Sequence, residues 1–132
     1  MLMRIGELGQ ASALATRTIR FYEQAGLLPE PGRSPAGYRD YTASALPRLR
    51  FIRSAQACGL TLAEIRQVIA VREDSGPPCG HVLGLLDAHA AELDQRIADL
   101  TALRKELQRL RTRAAGLDPA TCGPDAVCHV IA

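Results

Sequence analysis

Leu86, Leu93, Leu100 and Leu107 recur every seven residues, and Ile97, Leu103 and Leu110 fall three or four positions from them. Glu92, Asp94, Asp99, Lys105, Glu106 and Arg109 occupy the other faces, and no proline interrupts the stretch after Gly76-Pro77-Pro78-Cys79. This spacing predicts one amphipathic helix from Cys79 to about Ala115 with a narrow apolar seam. At the α-helical rise it is roughly 55 Å long, against a typical globular helix of about 11–12 residues. A single helix cannot bury such a seam, so the stretch reads as a connector and a dimerisation element.

The chain has 132 residues, room for one compact domain in front of this helix and a short tail behind it. A hydrophobic content of 47% with 23% charged residues is that of a folded protein. Aromatic residues make up only 4%, which argues against a large aromatic-lined substrate pocket. The net charge of +2 is uninformative, but its distribution is not. Residues 1–58 carry eight arginines against four acids, and residues 59–132 carry eight basic against ten acidic residues. Every basic residue of the first part is arginine, whose planar fork suits phosphate and guanine, so an anionic partner is expected there. No apolar run is long enough for a membrane span, and Arg4 and Glu7 come too early for a secretory signal. A cytoplasmic protein with no membrane partner is expected. In a reducing compartment, four cysteines point to ligands, switches or core residues rather than structural disulfides.

Residues 3–10 predict a short helix with Ile5 and Leu8 on one side, followed by a turn at Ala11-Ser12-Ala13. Ser12 or Thr16 could cap a second helix, Thr16 to Ala25, with Ile19 and either Tyr22 or Phe21 inward and Arg17 and Arg20 projecting. Gly26 ends it. Two short helices about a tight turn form a helix-turn-helix, whose second helix can enter the DNA major groove. Prolines and glycines from Pro29 to Gly37 forbid a further helix and leave Arg33, Tyr38, Arg39 and Tyr41 on a small loop or hairpin. A third helix is expected from Thr42–Ser44 to about Ala57, stopped by Gly59. Thr61-Leu62-Ala63-Glu64 has the form of a capping box and opens a fourth, ending near Glu73.

Several motifs in fixed order carry a resemblance. They are Ile5-Gly6-Glu7-Leu8, Thr18-Ile19-Arg20-Phe21-Tyr22-Glu23 with Gly26-Leu27-Leu28, Arg33 with Gly37-Tyr38-Arg39-Asp40-Tyr41, and Gly59-Leu60-Thr61-Leu62-Ala63-Glu64-Ile65. Together with the long helix, they resemble the MerR family of bacterial transcription regulators over essentially the whole chain. The resemblance implies a mainly α fold, a winged helix-turn-helix DNA-binding domain followed by a long antiparallel coiled-coil dimerisation helix. It implies an effector site near the C-terminus and DNA contacts at Thr16, Arg17, Arg20, Tyr22, Arg33, Tyr38 and Arg39. On this reading residues 1–75 bind DNA, 76–115 dimerise, and 116–132 form a metal-binding loop and tail.

Cys122 and Cys128 are separated by five residues around Gly123-Pro124, a pair able to close a small loop on a soft metal ion. Cys79 stands at the far end of the long helix, roughly 50 Å from Cys122 along an uninterrupted helical rise. One chain therefore cannot bring all three together. In an antiparallel dimer, Cys79 of one subunit meets Cys122 and Cys128 of the other, and a ligand there reports on subunit arrangement. This resembles the metal-sensing branch of the family, where a cysteine opening the dimer helix goes with divalent zinc, cadmium, lead or mercury. Zinc is the first expectation. The loop is shorter than in the best-known sensors, which leaves the choice of metal open.

Alternatives remain. The same thiols could form a redox switch without metal, or a structural zinc tail on a coiled-coil adaptor. Cys58, beside Gly59, is expected in the core. His129 or His81 could join the metal site, and His89 is expected to be structural. No Ser-His-Asp set, phosphate loop or dinucleotide fingerprint is present, so no enzyme is expected. The resemblance further implies a homodimer on palindromic promoter DNA. Metal binding would distort an overlong spacer so that RNA polymerase engages both promoter elements, activating metal-resistance or efflux genes.

Overall fold

The computed structural model describes residues 2–132. The chain forms two compact units, Met1–His89 and Ala90–Ala132. Its elements are β1 (Leu2–Met3), α1 (Ile5–Ser12), α2 (Thr16–Gln24), β2 (Gly32–Arg33), β3 (Arg39–Thr42), α3 (Ala45–Ala57), α4 (Leu62–Ser75) and α5 (Cys79–Ala115), followed by a 3-10 turn at Pro119–Thr121.

In the first unit, Leu8, Ile19, Leu27, Leu49, Ile52, Ile65 and Val68 are essentially inaccessible. They come from α1, α2, α3, α4 and the residues just after α2. Each such side chain contributes about 1.5–3 kcal/mol relative to an exposed position. Met3, Ile5, Leu14, Phe51, Ile69 and Leu85 pack partly buried around this cluster.

The first helix begins later than the periodicity suggests. Met3 pairs with Tyr41 and Leu2 with Thr42, which makes a three-stranded antiparallel sheet in the order β1-β3-β2. The strand pairing uses the backbone groups that an earlier helix would have needed. Helix α1 then starts at Ile5, and the Arg4 backbone N–H donates to Glu7 Oε1 at 3.1 Å. The turn into α2 is also displaced, with Ala13 in the left-handed region. Neither Ser12 nor Thr16 caps α2. The Ser12 hydroxyl donates to Leu8 O within α1 at 2.7 Å, and Ala15 stands at the α2 N-terminus without a side-chain cap.

Ile19 and Tyr22 form the inner face of α2, while Phe21 is half exposed. The α4 capping box forms as expected. Glu64 N donates to Thr61 Oγ1 at 3.1 Å and Thr61 N donates to Glu64 Oε1 at 2.9 Å. The helix runs two residues past Glu73, to Ser75. Cys58 contradicts its expected place in the core: it is exposed, at the C-terminal cap of α3. Ala55 and Leu60 take the buried positions around it, because the chain turns at Gly59 and carries Leu60 inward.

Helix α5 is 37 residues long. Leu86, Leu93, Ile97, Leu100, Leu103 and Leu107 are all exposed along it. Its other faces carry the ion pairs Glu92–Arg96 and Glu106–Arg109, both at 2.6 Å.

Candidate functional site

Helix α2 and the β2–β3 hairpin place Thr16, Arg17, Arg20, Arg33, Tyr38 and Arg39 of the predicted DNA-contact residues on the first unit, Tyr22 apart. The hairpin turns over Pro35-Ala36-Gly37, with Gly37 N donating to Ser34 O at 2.9 Å and Ser34 N donating to Tyr38 O at 2.8 Å. Gly37 has φ +87°, the left-handed position that closes a three-residue hairpin loop. Arg33 pairs across from Arg39, and Tyr38 is 64% exposed at the end of the turn.

Between hairpin and helix lies an open depression of about 410 Å³, lined by Arg4, Ile5, Arg20, Arg33, Gly37, Tyr38 and Arg39. Arg17 lies one turn nearer the N-terminus of α2 and is exposed; Thr16 is half-buried. Among the described residues, Arg17, Arg20 and Arg33 have no acidic side chain within ion-pair distance. Uncompensated guanidinium groups around a concave surface attract an anion. The α2 N-terminus, uncapped by any side chain, adds its dipole to that field.

Tyr22 is placed differently from the other predicted contacts. Its ring is 6% exposed in the core, and its hydroxyl donates to Gln56 Oε1 at 2.5 Å, which ties α2 to α3. Glu23, also on α2, binds β3 twice. It accepts from the Tyr41 hydroxyl at 2.8 Å and from Arg39 Nε at 3.3 Å. Burial, then the hydrogen bond to Glu23, pushes the Tyr41 phenol up to about 12. Tyr41, expected on a small loop or hairpin, lies on β3 of the hairpin and is a buried anchor.

Cys79 is the first residue of α5 and is exposed. In the second unit, Cys122 and Cys128 line one hollow of about 250 Å³ with His129, Ala114, Leu117 and Val130. Arg113 Nη2 donates to His129 O at 2.9 Å and fastens the tail to the end of α5. All four cysteines are free thiols. Two soft sulfur donors on the wall of a small hollow suit a thiophilic ion. Among the described residues, no three potential ligands cluster within the chain. His81 is exposed, whereas His89 Nε2 lies 2.8 Å from Glu64 Oε1 and joins α5 to the start of α4.

Residues 3–71 match the family model described as MerR HTH family regulatory protein, and residues 46–110 match the model described as MerR, DNA binding. The chain belongs to the MerR family. The HTH-type transcriptional regulator HmrR of Rhizobium leguminosarum bv. viciae is 37% identical over 120 residues, covering 91% of this chain and 92% of that one. The mercuric resistance operon regulatory protein of Bacillus cereus is 34% identical over 113 residues, 86% of each chain. Among solved structures, the transcription regulator PbrR691 from Ralstonia metallidurans CH34 in complex with lead(II) superposes with a TM-score of 0.73. It is 46% identical, covering 83% of this chain and 85% of that one. This MerR protein is accordingly a transcriptional regulator, built as a helix-turn-helix domain followed by a long helix.

Two groups on this MerR surface are not among the contacts expected from sequence. Arg4 and Phe21 stand beside those contacts, Arg4 in the depression and Phe21 half exposed on α2. Phe21 is legible only as one of two neighbours competing for the inner face. Arg4 carries no local signal, because its partners Ser34, Tyr38 and Asp40 lie across the sheet.

Proposed function

We propose that this protein is a homodimeric, metal-responsive regulator that binds palindromic promoter DNA and activates genes of metal resistance or efflux. The observation that carries the reading is the pair Cys122 and Cys128 on one hollow, in a MerR chain 46% identical to a protein crystallised with lead(II).

The exposed seam of α5 pairs with that of a second subunit, antiparallel, so that each Cys79 reaches the partner's tail. Cys79 of one subunit with Cys122 and Cys128 of the other would hold a divalent thiophilic ion, zinc first. Such an ion draws the three thiols into their thiolate form and links the two subunits. The donor chemistry supports this: a third thiolate favours the higher coordination number of a divalent ion, and among the described residues a single chain has no third ligand close by. Arg113, by holding the His129 carbonyl, keeps the loop against its helix.

On the DNA side, Thr16, Arg17 and Arg20 would meet the major groove and its phosphates, while Arg33, Tyr38 and Arg39 would meet the flanking backbone. Phosphate contacts supply most of the affinity and make it salt-dependent. Tyr22 enters this list through its hydroxyl alone, and mainly positions α2. Bound metal biases the arrangement of the two DNA-binding domains, which twists the promoter spacer for RNA polymerase. The protein acts in the cytoplasm.

The test is a Cd²⁺ titration of the reduced protein, following thiolate-to-metal charge-transfer absorption, in wild type and Cys79→Ser. Saturation at one ion per subunit, with weaker binding in Cys79→Ser, is the expected result. An unchanged band in Cys79→Ser would restrict the site to the tail and favour a two-thiolate monovalent ion. Absence of any band would leave a thiol redox switch as the better reading, since Cys79, Cys122 and Cys128 are free thiols.

A further inference from the structure

We infer that Arg4 is a positioning residue for the wing, acting through Tyr38 rather than by its own charge on DNA. Strand β1 pairs Met3 with Tyr41, so the next residue, Arg4, falls opposite Asp40. From there its guanidinium makes three contacts with the hairpin. Nε lies 3.5 Å from Asp40 Oδ1, Nη1 donates to Ser34 Oγ at 3.3 Å, and the guanidinium carbon lies 4.9 Å from the centre of the Tyr38 ring. Ser34 and Tyr38 flank the Pro35-Ala36-Gly37 turn, and Ser34 Oγ also accepts from Tyr38 N at 3.1 Å. One side chain thus grips both ends of the turn and one point on the strand behind it.

The geometry selects arginine. A planar cation can stack on a ring while its separate N–H groups reach two oxygens, whereas lysine offers a single point of charge. Arg4 is itself fixed at the other end, because its backbone N–H is held by Glu7 at the start of α1. The wing tip is therefore referenced to the first helix of the helix-turn-helix. Tyr38, 64% exposed, would otherwise be free to rotate away from the surface that holds Arg20 and Arg33. Asp40 neutralises part of the Arg4 charge, which suits a clamp better than a phosphate contact.

The proposal rests on the reading that the wing touches DNA, and the experiment separates the two. A palindromic duplex is selected by the wild-type protein from a randomised pool, and its affinity is measured for full-length Arg4→Ala, Arg4→Lys, Tyr38→Ala, the Arg4→Ala/Tyr38→Ala double variant and Arg33→Ala. Amide hydrogen exchange at Gly37 and Tyr38 is followed without DNA. Loss of one exposed cation–π contact and its hydrogen bonds predicts about 5-fold weaker binding for Arg4→Ala. Lysine should fail to restore it, and the double variant should bind no worse than Tyr38→Ala alone. Exchange at the turn should accelerate in Arg4→Ala. Additive losses with full rescue by lysine would overturn the proposal and make Arg4 a direct phosphate contact, as would unchanged exchange. If Arg33→Ala binds as wild type, the wing reading fails instead, while the exchange rates still decide whether Arg4 holds the turn.

Discussion

Tyr41 on β3 donates its hydroxyl to Glu23 on α2 at 2.8 Å, and Arg39 meets the other oxygen of the same carboxylate at 3.3 Å. One side chain of the recognition helix therefore fixes the wing strand at two points. Tyr41 is 3% exposed, so this part-buried link is anchored in the core at its tyrosine end. Helix α2 and strand β3 are held together as one unit.

Tyr41→Phe should keep the ring packing and lose the hydrogen bond, at a cost of about 1 kcal/mol of stability by denaturant unfolding. The alkaline limb should change too. The Tyr41 phenol is pushed up to about 12, whereas an unfolded tyrosine titrates near about 10. Across that interval the unfolded chain releases its proton first, so wild-type stability falls as pH rises from about 10 towards 12. Tyr41→Phe should show a shallower fall, and spectrophotometric titration should lose the component near about 12. An alkaline limb identical to wild type would show that Tyr41 is not held as described.

Glu64 serves the α4 capping box and the His89 contact at once. The Thr61 backbone N–H first, then His89, hold its carboxyl below the usual carboxylate range. A depressed folded-state value means stability that is present above the unfolded carboxylate range and lost as pH falls through the folded value. Glu64→Gln keeps the capping geometry but loses the charge. It should melt slightly below wild type at neutral pH and converge with it as pH falls through the depressed folded-state value. Equal melting temperatures at neutral pH would count against a role for the carboxylate charge.

Gly37 occupies a left-handed position, and a Cβ added there would meet nothing within 4 Å, so any penalty comes from the backbone and not from crowding. Gly37→Val should cost about 1–2 kcal/mol and weaken duplex binding, because a β-branched residue resists φ +87°. Asparagine visits this region readily, so Gly37→Asn should bind and melt close to wild type. Calorimetry and duplex titration of the pair check the prediction. Equal effects from both variants would mean that the turn does not depend on its backbone conformation.

The α5 seam offers a prediction about assembly. Leu100, 66% exposed, lies in the middle of the apolar row. If α5 forms the proposed dimer, Leu100→Asp should leave the protein monomeric in sedimentation equilibrium, because an unpaired carboxylate buried in a helix–helix seam is strongly unfavourable. Affinity for a palindromic duplex should fall about 100-fold with loss of the linked second domain. A variant that stays dimeric would place the interface elsewhere.

Much of this architecture is legible in the sequence because it depends on local pattern. The seven-residue repeat specifies α5, the Thr61–Glu64 spacing specifies the start of α4, and Gly26 and Gly59 mark the helix ends. The candidate site is legible where residue type alone carries the signal, as with the arginines of α2 and the wing and the cysteines of the tail. Cys58 is not legible in this way, because a cysteine beside a helix end packs inward or outward according to where the turn carries the next apolar residue, here Leu60. Tyr22 is legible as an α2 residue, but its hydroxyl finds its partner in Gln56 on a later helix.

Helices, hairpin loop, apolar seam and the chemistry of the donor groups can thus be read from local pattern, since periodicity, capping and turn residues act over a few positions. Which side chains meet depends on the packed fold. The β1–β3 register set Arg4 against Asp40, the sheet brought Ser34 and Tyr38 beneath it, and the packing of α2 on β3 joined Glu23 to Tyr41. Those contacts depend on segments far apart in the chain, whose pairing is fixed by burial of the common core rather than by any local spacing.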